Sequence, residues 1–284
     1  MIITTNTLQP YTPPICLSIA GSDPSGGAGI QADLKTFSAL GCYGAAAITA
    51  LTVQNTCGVQ ASQFLSGDFV YSQVAAVIED LNPQSIKIGM MGTLDIVKAI
   101  GRLLSEYKIK NVVLDPVMVA TSGDSLLNHD IETREIVNCM MEHLVPHATI
   151  LTPNLPELVV LCNREYTPEE GAEWIYKKTG CPYILVKGGH SSTNTPTDLL
   201  YNQGNILYIE GEYIKTQNTH GTGCTLSSAI AAMLAKGFSP KEATQIAKKY
   251  IQSAIEAGAQ MNIGHGHGPV NHFFNPLAIS IKEK

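Results

Sequence analysis

Residues 15–35, with the sequence ICLSIAGSDPSGGAGIQADLK, carry the pattern that decides how the fold of this chain is interpreted. An apolar run at residues 15–20 stops at the glycine-rich segment 21–27, after which Ile30, Leu34 and Phe37 recur at helical spacing. This order predicts a buried strand, a glycine-rich loop and an amphipathic helix.

The same alternation continues along most of the chain. Further strands are predicted at residues 45–53, 86–88, 112–114, 149–151 and 183–186. Helices are predicted at residues 68–81, around 96–104, at about 131–144, in a short segment that opens at 152–154, and at 169–179, 224–236 and 240–258. Strands that alternate with helices favour an α/β fold, with a central, mainly parallel sheet flanked by helices on both faces.

Residues 199–214 depart from that alternation. Apolar runs at 199–201 and 206–209 flank a turn at 202–205, which predicts a hairpin and a small antiparallel edge of the sheet. Since no shift in composition marks a boundary, we expect one domain over residues 15–284, preceded by a flexible tail at 1–14.

Charge and cysteine usage exclude several classes of protein. With 18 Lys and Arg against 24 Asp and Glu, the formal net charge of the 284-residue chain is −6, which argues against a polybasic binder of nucleic acids or membranes. No apolar run reaches the roughly 18 residues of a membrane span. The seven cysteines contain no C-x-x-C pair and are interpreted as free thiols of a cytoplasmic protein.

The segment NTHGTGC, residues 218–224, is the strongest candidate for chemistry. Glycines before a helix let backbone N–H groups converge, and the helix N-terminus favours an anion. Cys224 lies in the first turn, where we expect the pKa of its thiol to fall. A tight turn with a buried cysteine explains the same spacing equally well. The common P-loop and dinucleotide motifs are both absent.

Three other groups of residues have two interpretations each. The loop 21–29, with Asp23 and Asp33, is either an anion cradle or an ordinary connection with Asp33 facing solvent. Asn154 and Glu157 are either oxygen ligands of magnesium or a helix cap, and spacing favours the cap. Lys187 ends a buried strand and either reaches a phosphate or lies at the surface.

Three histidines near the C-terminus, His265, His267 and His272, invite a metal interpretation. They follow no regular ligand geometry, because two of them lie in a Gly-His-Gly-His-Gly segment. We therefore expect all three to belong to a solvated loop.

Five blocks taken together resemble one enzyme family. They are GSDPSGGAGIQADLK at 21–35, TALTVQNT at 49–56, TPNLPE at 152–157, KGGH at 187–190 and NTHGTGC at 218–224. In this order they are similar to the hydroxymethylpyrimidine/phosphomethylpyrimidine kinases of thiamine biosynthesis, over nearly the whole chain. The resemblance implies a ribokinase-like three-layer sandwich that phosphorylates 4-amino-5-hydroxymethyl-2-methylpyrimidine and then its monophosphate, with ATP and Mg²⁺.

The resemblance also implies roles for residues on the substrate side. Gln54 is expected to bind the aminopyrimidine edge, since its amide both donates and accepts hydrogen bonds. Asp23, Asp33 and Gly21 are expected to help hold the same substrate.

The remaining implied roles concern phosphoryl transfer. Cys224 stands where sugar kinases of the superfamily place an aspartate base, and the backbone of Gly221, Thr222 and Gly223 would stabilise the transferred group. The expected ATP and magnesium contacts lie elsewhere along the chain. Lys187, Asp115, Asn154 and Thr219 are expected to bind ATP, and Glu157 with Asn154 to organise Mg²⁺ through water.

Two alternatives stay open, and so does the assembly. A pyridoxal or pyridoxine kinase of the same superfamily would also phosphorylate a hydroxymethyl group on a nitrogen heterocycle. A pyrimidine sensor without catalysis would keep the pocket, although it would have no need of a base and an anion hole. The expected partners are small molecules, with no nucleic acid or membrane, and a homodimer is allowed.

Overall fold

A computed structural model describes residues 11–118, 133–189 and 195–279 of the chain. Most of the predicted N-terminal tail therefore lies outside the described residues, as do His190 and the predicted helix start at 131–132. At the end of the predicted tail, Pro14 is buried, and its carbonyl accepts a 2.8 Å hydrogen bond from the Tyr43 N–H.

Within the described residues, nine strands form one sheet. They are β1 (Ile15–Ser22), β2 (Tyr43–Asn55), β3 (Gly58–Phe64), β4 (Ser85–Ile88), β5 (Val112–Leu114), β6 (Ile150–Leu151), β7 (Tyr183–Val186), β8 (Asp198–Asn202) and β9 (Asn205–Ile209). Their order is β3-β2-β1-β4-β5-β6-β7-β8-β9, and β2 to β7 in this order pair in parallel. The predicted, mainly parallel sheet is confirmed.

Eight α-helices in the described part of the chain cover the sheet. They are α1 (Gly29–Ala39), α2 (Gly67–Leu81), α3 (Leu94–Tyr107), α4 (Thr133–His143), α5 (Leu155–Cys162), α6 (Pro168–Thr179), α7 (Thr222–Ala235) and α8 (Pro240–Gly258), with a short 3-10 helix at Val145–His147. Each of the predicted helices is present, with small shifts of the ends.

The central strands are buried on both faces, which makes the fold a three-layer sandwich. Val112 and Leu114 of β5 pack into one apolar cluster with helices α2 to α6, whereas Val113 packs into a second cluster with α1, α7 and α8. Successive side chains of a strand point to opposite faces, so each strand joins both clusters.

Antiparallel strands lie at both edges of the sheet, not at one. The predicted hairpin is confirmed as β8 and β9, but β3 was not predicted, and β2 runs two residues beyond its predicted end at residue 53. Most of β3 is exposed or half-buried. A strand exposed on both faces shows no alternation of apolar and polar residues, so its sequence carries little strand signal.

Candidate active site

A cavity of about 660 Å³ lies at the carboxyl ends of the parallel strands, where open α/β sheets bind ligands. All but one of the predicted site residues line it: Gly21, Asp23, Gln54, Asp115, Asn154, Glu157, Lys187, Thr219, Gly221, Thr222, Gly223 and Cys224. The exception is Asp33. Segments that lie up to two hundred residues apart in the chain therefore face one space.

The two glycine-rich loops touch each other at one wall of the cavity. Gly221 is the N-cap of α7 with φ of 80°, and a Cβ on it would lie 1.8 Å from the carbonyl oxygen of Gly27. Only glycine combines this backbone conformation with this close approach. The first-turn N–H groups of α7, which have no partner within the helix, thus begin where the two loops meet.

Asp23 organises the first of these loops. Its carboxylate accepts hydrogen bonds from Ser25 Oγ (2.7 Å) and from the N–H groups of Ser25, Gly27 and Ala28 (2.8–3.2 Å). Its Oδ2 atom lies 2.8 Å from Nε2 of His220, in the second loop. Burial opposes ionisation, but the bonds from His220 and Ser25 lower the pKa of Asp23 to about 2. Asp23 therefore ties the two loops together.

His220 was not assigned a role from the sequence, although it lies inside the 218–224 block. Its side chain is 7% exposed, and a Cβ on Gly27 would lie 2.3 Å from its ring. The absence of a side chain at Gly27 is thus what admits the imidazole between the loops.

Asp33 does not contact the cavity, which corrects both interpretations of this residue. It is fully buried, and both of its carboxylate oxygens lie 2.9 Å from Nζ of Lys87, itself fully buried in β4. Ser18 and Ser228 donate to the same carboxylate at 2.5 and 2.6 Å. Lys87 was also missed, although a lysine between Ile86 and Ile88 in a buried strand is a visible anomaly.

Lys187, Asp115 and Glu157 form a second charged cluster, which opens to the cavity. Lys187 Nζ lies 2.8 Å from Asp115 Oδ1 and 3.7 Å from Glu157 Oε2. Although burial opposes charge on both residues, Asp115 raises the pKa of Lys187, and Lys187 lowers that of Asp115. Burial raises the pKa of Glu157. The cluster places a cation within the cavity wall beside Gly223.

Asn154 and Glu157 cap helix α5. Asn154 Oδ1 accepts from the Glu157 N–H at 2.8 Å, and Glu157 Oε2 accepts from the Asn154 N–H at 2.7 Å, which is a capping box. The capping alternative is confirmed. Within residues 11–118, 133–189 and 195–279, no group of three or more His, Cys, Asp or Glu side chains is arranged to hold a metal ion.

The thiol of Cys224 does not have the low pKa that its place in a helix first turn predicts. Burial raises the pKa of this thiol to about 11, against the effect of Lys87 and with a further contribution from Asp33 and Asp115. The helix N-terminus and the Gly29 N–H favour the thiolate, but desolvation outweighs them. At neutral pH the resting thiol is therefore protonated.

Gln54 lies at the far end of β2, beyond the residues paired with β1, where β2 pairs with β3 alone. An irregularity in the pairing with β3 falls between Val53 and Gln54, and Thr52 Oγ1 lies 3.1 Å from Gln54 Oε1. Gly21 lies below it, and a Cβ there would come within 2.8 Å of Met90 Sδ. This end of the cavity presents one amide beside an apolar floor.

The C-terminal segment holds the β2–β3 turn against the second glycine-rich loop. Thr56 accepts from the N–H groups of His265 and His267 (2.9–3.1 Å), and Gly268 O accepts from the His220 N–H at 3.0 Å. His265 and His267 are exposed, as expected. His272 is buried, which contradicts the prediction that it is solvated, because it lies against Thr225 of α7 at 3.0 Å.

The opposite end of the cavity was not predicted. It is lined by apolar and polar side chains of the 212–214 segment and of α8, among them Tyr213, Ile214, Ile251, Gln252 and Ile255. Lys248 of α8 lies 2.7 Å from Asp198, whose other oxygen accepts from the Gly188 N–H. A planar apolar group with polar edges fits such a wall.

No helix within the described part of the chain combines the length and apolar character that crossing a membrane requires.

The chain is similar to known proteins both in sequence and in structure. The sequence profile of the phosphomethylpyrimidine kinase family matches residues 23–271. The hydroxymethylpyrimidine/phosphomethylpyrimidine kinase of Rhizobium meliloti is 48% identical over 91% of this chain and 97% of the relative. Two solved structures are also similar. The Bacillus subtilis pyridoxal kinase with ADP has a TM-score of 0.82 and 35% identity, covering 92% of this chain and 97% of its own. The phosphomethylpyrimidine kinase of Clostridium difficile has a TM-score of 0.73 and 39% identity, covering 85% and 99%.

Proposed function

The chain belongs to the phosphomethylpyrimidine kinase family, and on that premise we propose that it is the bifunctional kinase of thiamine biosynthesis. It transfers the γ-phosphoryl group of ATP to the hydroxymethyl oxygen of 4-amino-5-hydroxymethyl-2-methylpyrimidine. It then transfers a second phosphoryl group to the monophosphate, which yields the diphosphate.

The observation that carries this proposal is the arrangement of three chemically distinct groups around one cavity. Gln54 lies at one end, Lys187 with its two carboxylates lies in the wall, and Cys224 follows the glycine-rich loop between them. A heterocycle bound at Gln54 directs its hydroxymethyl group towards the start of α7, where a phosphoryl group is stabilised by backbone N–H groups.

The first transfer needs a proton acceptor at Cys224. As the acceptor O–H bond breaks, its proton passes to the thiolate, and the oxygen bonds to the γ-phosphorus. The bond between that phosphorus and the β,γ-bridging oxygen breaks, and ADP leaves. Because burial raises the pKa of the thiol to about 11, thiolate is scarce at neutral pH, and we expect this transfer to accelerate as the pH rises.

The charged cluster fits the phosphates of ATP. Lys187 supplies a cation for them, and Asp115 with Glu157 holds that cation in place at 2.8 and 3.7 Å. Hard oxygen donors such as Glu157 and the Asn154 amide suit Mg²⁺ through water, since this ion retains several waters and binds phosphate oxygens. When bound, Mg²⁺ neutralises charge on the phosphates. Thr219 and Gly221 lie beside the same phosphates.

The test is to identify the products that the purified protein forms from ATP and Mg²⁺ with each acceptor. Hydroxymethylpyrimidine, its monophosphate and pyridoxal are compared, and products are identified by mass. Turnover of both pyrimidines to the diphosphate is expected. If the protein phosphorylates neither pyrimidine, the proposal is contradicted. The variant Cys224→Ala shows whether a slow activity belongs to the chain or to a contaminating enzyme.

Pyridoxal is a second candidate acceptor. The similarity to the Bacillus subtilis pyridoxal kinase favours it, and pyridoxal also presents a hydroxymethyl group on a nitrogen heterocycle. We expect it to be phosphorylated more slowly than the pyrimidine, because the Gln54 amide suits an amino-pyrimidine edge. Ratios of kcat/KM for the two acceptors decide their order.

The remaining parts of the proposal concern the whole protein. We propose that residues 15–284 fold as one unit, because one continuous sheet connects β1 to β9. Cytoplasmic action is supported by the seven free cysteines. A homodimer is tested by light scattering of the purified chain.

A further inference from the structure

We propose that the buried ion pair of Lys87 and Asp33 is a positioning device that controls proton exchange at Cys224, and that the rate of the first phosphoryl transfer depends on the charges of this pair while that of the second does not. This inference rests on the proposed function, which supplies two acceptors of different acidity. It assigns a role to two residues that lie outside the binding contacts.

The pair is sealed in the protein. The side chains of Lys87 and Asp33 have no exposed surface, and the lysine Nζ lies 2.9 Å from both carboxylate oxygens. Ser18 of β1 and Ser228 of α7 complete the shell of the carboxylate at 2.5 and 2.6 Å. The pair therefore links strands β1 and β4 with helices α1 and α7.

The lysine of the pair is part of the cavity wall, whereas Asp33 does not line the cavity. Lys87 contributes to that wall beside Cys224, and a Cβ on Gly89 would lie 2.9 Å from Lys87 Nζ. A glycine at residue 89 thus leaves room for the ammonium group close to the wall. The pair and the thiol are joined through α7, because Ser228 lies one turn beyond Cys224.

Stability alone does not explain such a pair. Removing two charges from water costs several kcal/mol each, and apolar residues of similar volume stabilise a core as well or better. Strand β4 is otherwise suited to apolar residues, since all four of its residues are buried. A charge kept at this place is therefore better explained by its field at the cavity.

Four charged groups act electrostatically on Cys224. Lys87 favours the thiolate, Asp33 and Asp115 oppose it, and Lys187 interacts with the same thiol. Asp115 and Lys187 face the cavity, so a bound nucleotide changes their surroundings. Lys87 borders the cavity, but neither its side chain nor that of Asp33 has exposed surface, so we expect their field to change less when a ligand binds than that of Asp115 and Lys187.

The two acceptors place different demands on this field. The hydroxymethyl group is an alcohol, whose proton must leave as its oxygen attacks. The phosphate of the monophosphate has a second pKa near 6, so its attacking oxygen is already ionised at pH 7.5. Only the first transfer needs a thiolate at Cys224, and only that transfer should depend on the groups that favour or oppose it.

Two single substitutions should have opposite effects. Lys87→Met leaves the negative charge of Asp33 near the thiol, which disfavours the thiolate. Asp33→Asn leaves the positive charge of Lys87, which favours it. Each unit by which the midpoint of ionisation moves changes the thiolate fraction about tenfold.

The experiment measures the ionisation of Cys224 directly. Alkylation by iodoacetamide is followed against pH in a Cys57→Ser background, because Cys57 is the exposed cysteine and five others are buried. Mass spectrometry of the peptide that contains Cys224 reports its rate alone. We expect Lys87→Met to move the midpoint to higher pH and Asp33→Asn to move it to lower pH.

Kinetics supply the second readout. Rates for hydroxymethylpyrimidine and for its monophosphate are measured separately in each variant. Lys87→Met should slow the first transfer about tenfold or more at pH 7.5 and change the second by less than about twofold. If only one single variant folds, the direction of its shift still decides the proposal. The double variant Lys87→Met/Asp33→Asn leaves no unpaired charge, so it shows whether that shift comes from the charge and not from altered packing. Its midpoint should lie between those expected for the single variants.

The proposal is overturned if the single variants move the alkylation midpoint in the same direction, or if both transfers fall together. An unmoved midpoint in the folded double variant and in either folded single variant would overturn it as well. If the wild-type protein phosphorylates neither pyrimidine, the proposed function fails, but the alkylation midpoints still decide whether the pair controls Cys224.

Discussion

Two lysine–carboxylate groups act electrostatically on Cys224, and they differ in access to the cavity. Lys187 is 14% exposed in its side chain and is held by Asp115 and Glu157 within the cavity wall. Lys87 borders the cavity but has no exposed side-chain surface, and its partner Asp33 is also completely buried. The chemistry of the partners is the same, since each ammonium lies 2.8–2.9 Å from the carboxylate of an aspartate.

This contrast teaches how one fold gives the same residue types different functions. A cation that lines the cavity, such as Lys187, can bind a ligand directly, and it affects affinity through that contact. A sealed cation acts only through its field, in a medium that screens it weakly. Uncharged polar side chains differ in the same way, since His272 is buried away from the cavity and Gln54 lines it.

The largest expected effect is on the free energy of unfolding, when the buried pair of Lys87 and Asp33 is broken. Lys87→Met leaves the Asp33 carboxylate buried without a cation, so the free energy of unfolding should fall by about 3–5 kcal/mol. Urea denaturation followed by circular dichroism measures it. Lys187→Met should cost less, since Thr152 and Ser227 still donate to Asp115 and the cavity admits water. Equal losses in the two variants would show that access to the cavity does not matter.

The next largest effect is on kcat, which should depend strongly on Lys187 because it lines the cavity. Lys187→Met should lower kcat for both acceptors by about 10²–10³-fold, because it removes a cation from the transferred phosphoryl in both reactions. Initial rates of ADP formation measure this. The matched control is Lys177→Met, which breaks an exposed ion pair with Glu173 and should leave kcat within twofold. If Lys187→Met slowed only one of the transfers, Lys187 would not bind the phosphates of ATP.

The buried side chain of His272 should make the free energy of unfolding fall in acid. Burial, with smaller contributions from Lys35 and His220, lowers the pKa of His272 from 6.5 to about 4. Between pH 6.5 and pH 4 the unfolded chain binds a proton at His272 that the folded chain does not. The contribution of neutral His272 to the free energy of unfolding is therefore complete above pH 6.5 and is lost as the pH falls towards 4. The loss should be about 3 kcal/mol.

Urea denaturation between pH 7 and pH 4 checks this loss, with His272→Gln as the variant that should remove it. His265→Gln is the matched control, since His265 is exposed and its replacement should leave the pH dependence unchanged. The same slope in both variants would mean that His272 does not govern the acid limb.

The smallest effect concerns an open, uncharged side chain. Gln54→Ala should raise KM for the pyrimidine about tenfold and leave KM for ATP unchanged, because it removes hydrogen bonds to one ligand only. Gln63→Ala, on the exposed face of β3 and outside the cavity, is the control. An equal change in both KM values would indicate a loosened hairpin and not a lost contact.

Local patterns were sufficient to predict most of the secondary structure. Strand β5 and helix α8 lie at the predicted residues, because an apolar run between turn residues and a period near 3.6 are both visible within a short window. Strand β3 was not visible in this way. Its pairing with β2 is set by the turn at 56–57 and by contact with the C-terminal segment, some two hundred residues away.

The candidate site was likewise predicted only where its features depend on residues close together in the chain. Its glycine-rich loops and its polar strand ends were predicted, since glycine and proline mark such turns directly and strand ends of parallel sheets converge. The partner of Asp33 was not, because Lys87 lies 54 residues away, and nothing near Asp33 in the chain distinguishes an exposed aspartate from a buried one. His220 stood within a predicted block, but its contact with Asp23 spans 197 residues.

The sequence by itself determined the order of strands and helices, the places where loops tighten and the family to which the chain belongs. Those properties depend on neighbours in the chain. Only the tertiary structure decided which charges are paired, which of the two lysines is sealed and why the Cys224 thiol resists ionisation. Proton affinity depends on how much water surrounds a group and which charges face it, and both are set when distant segments pack together.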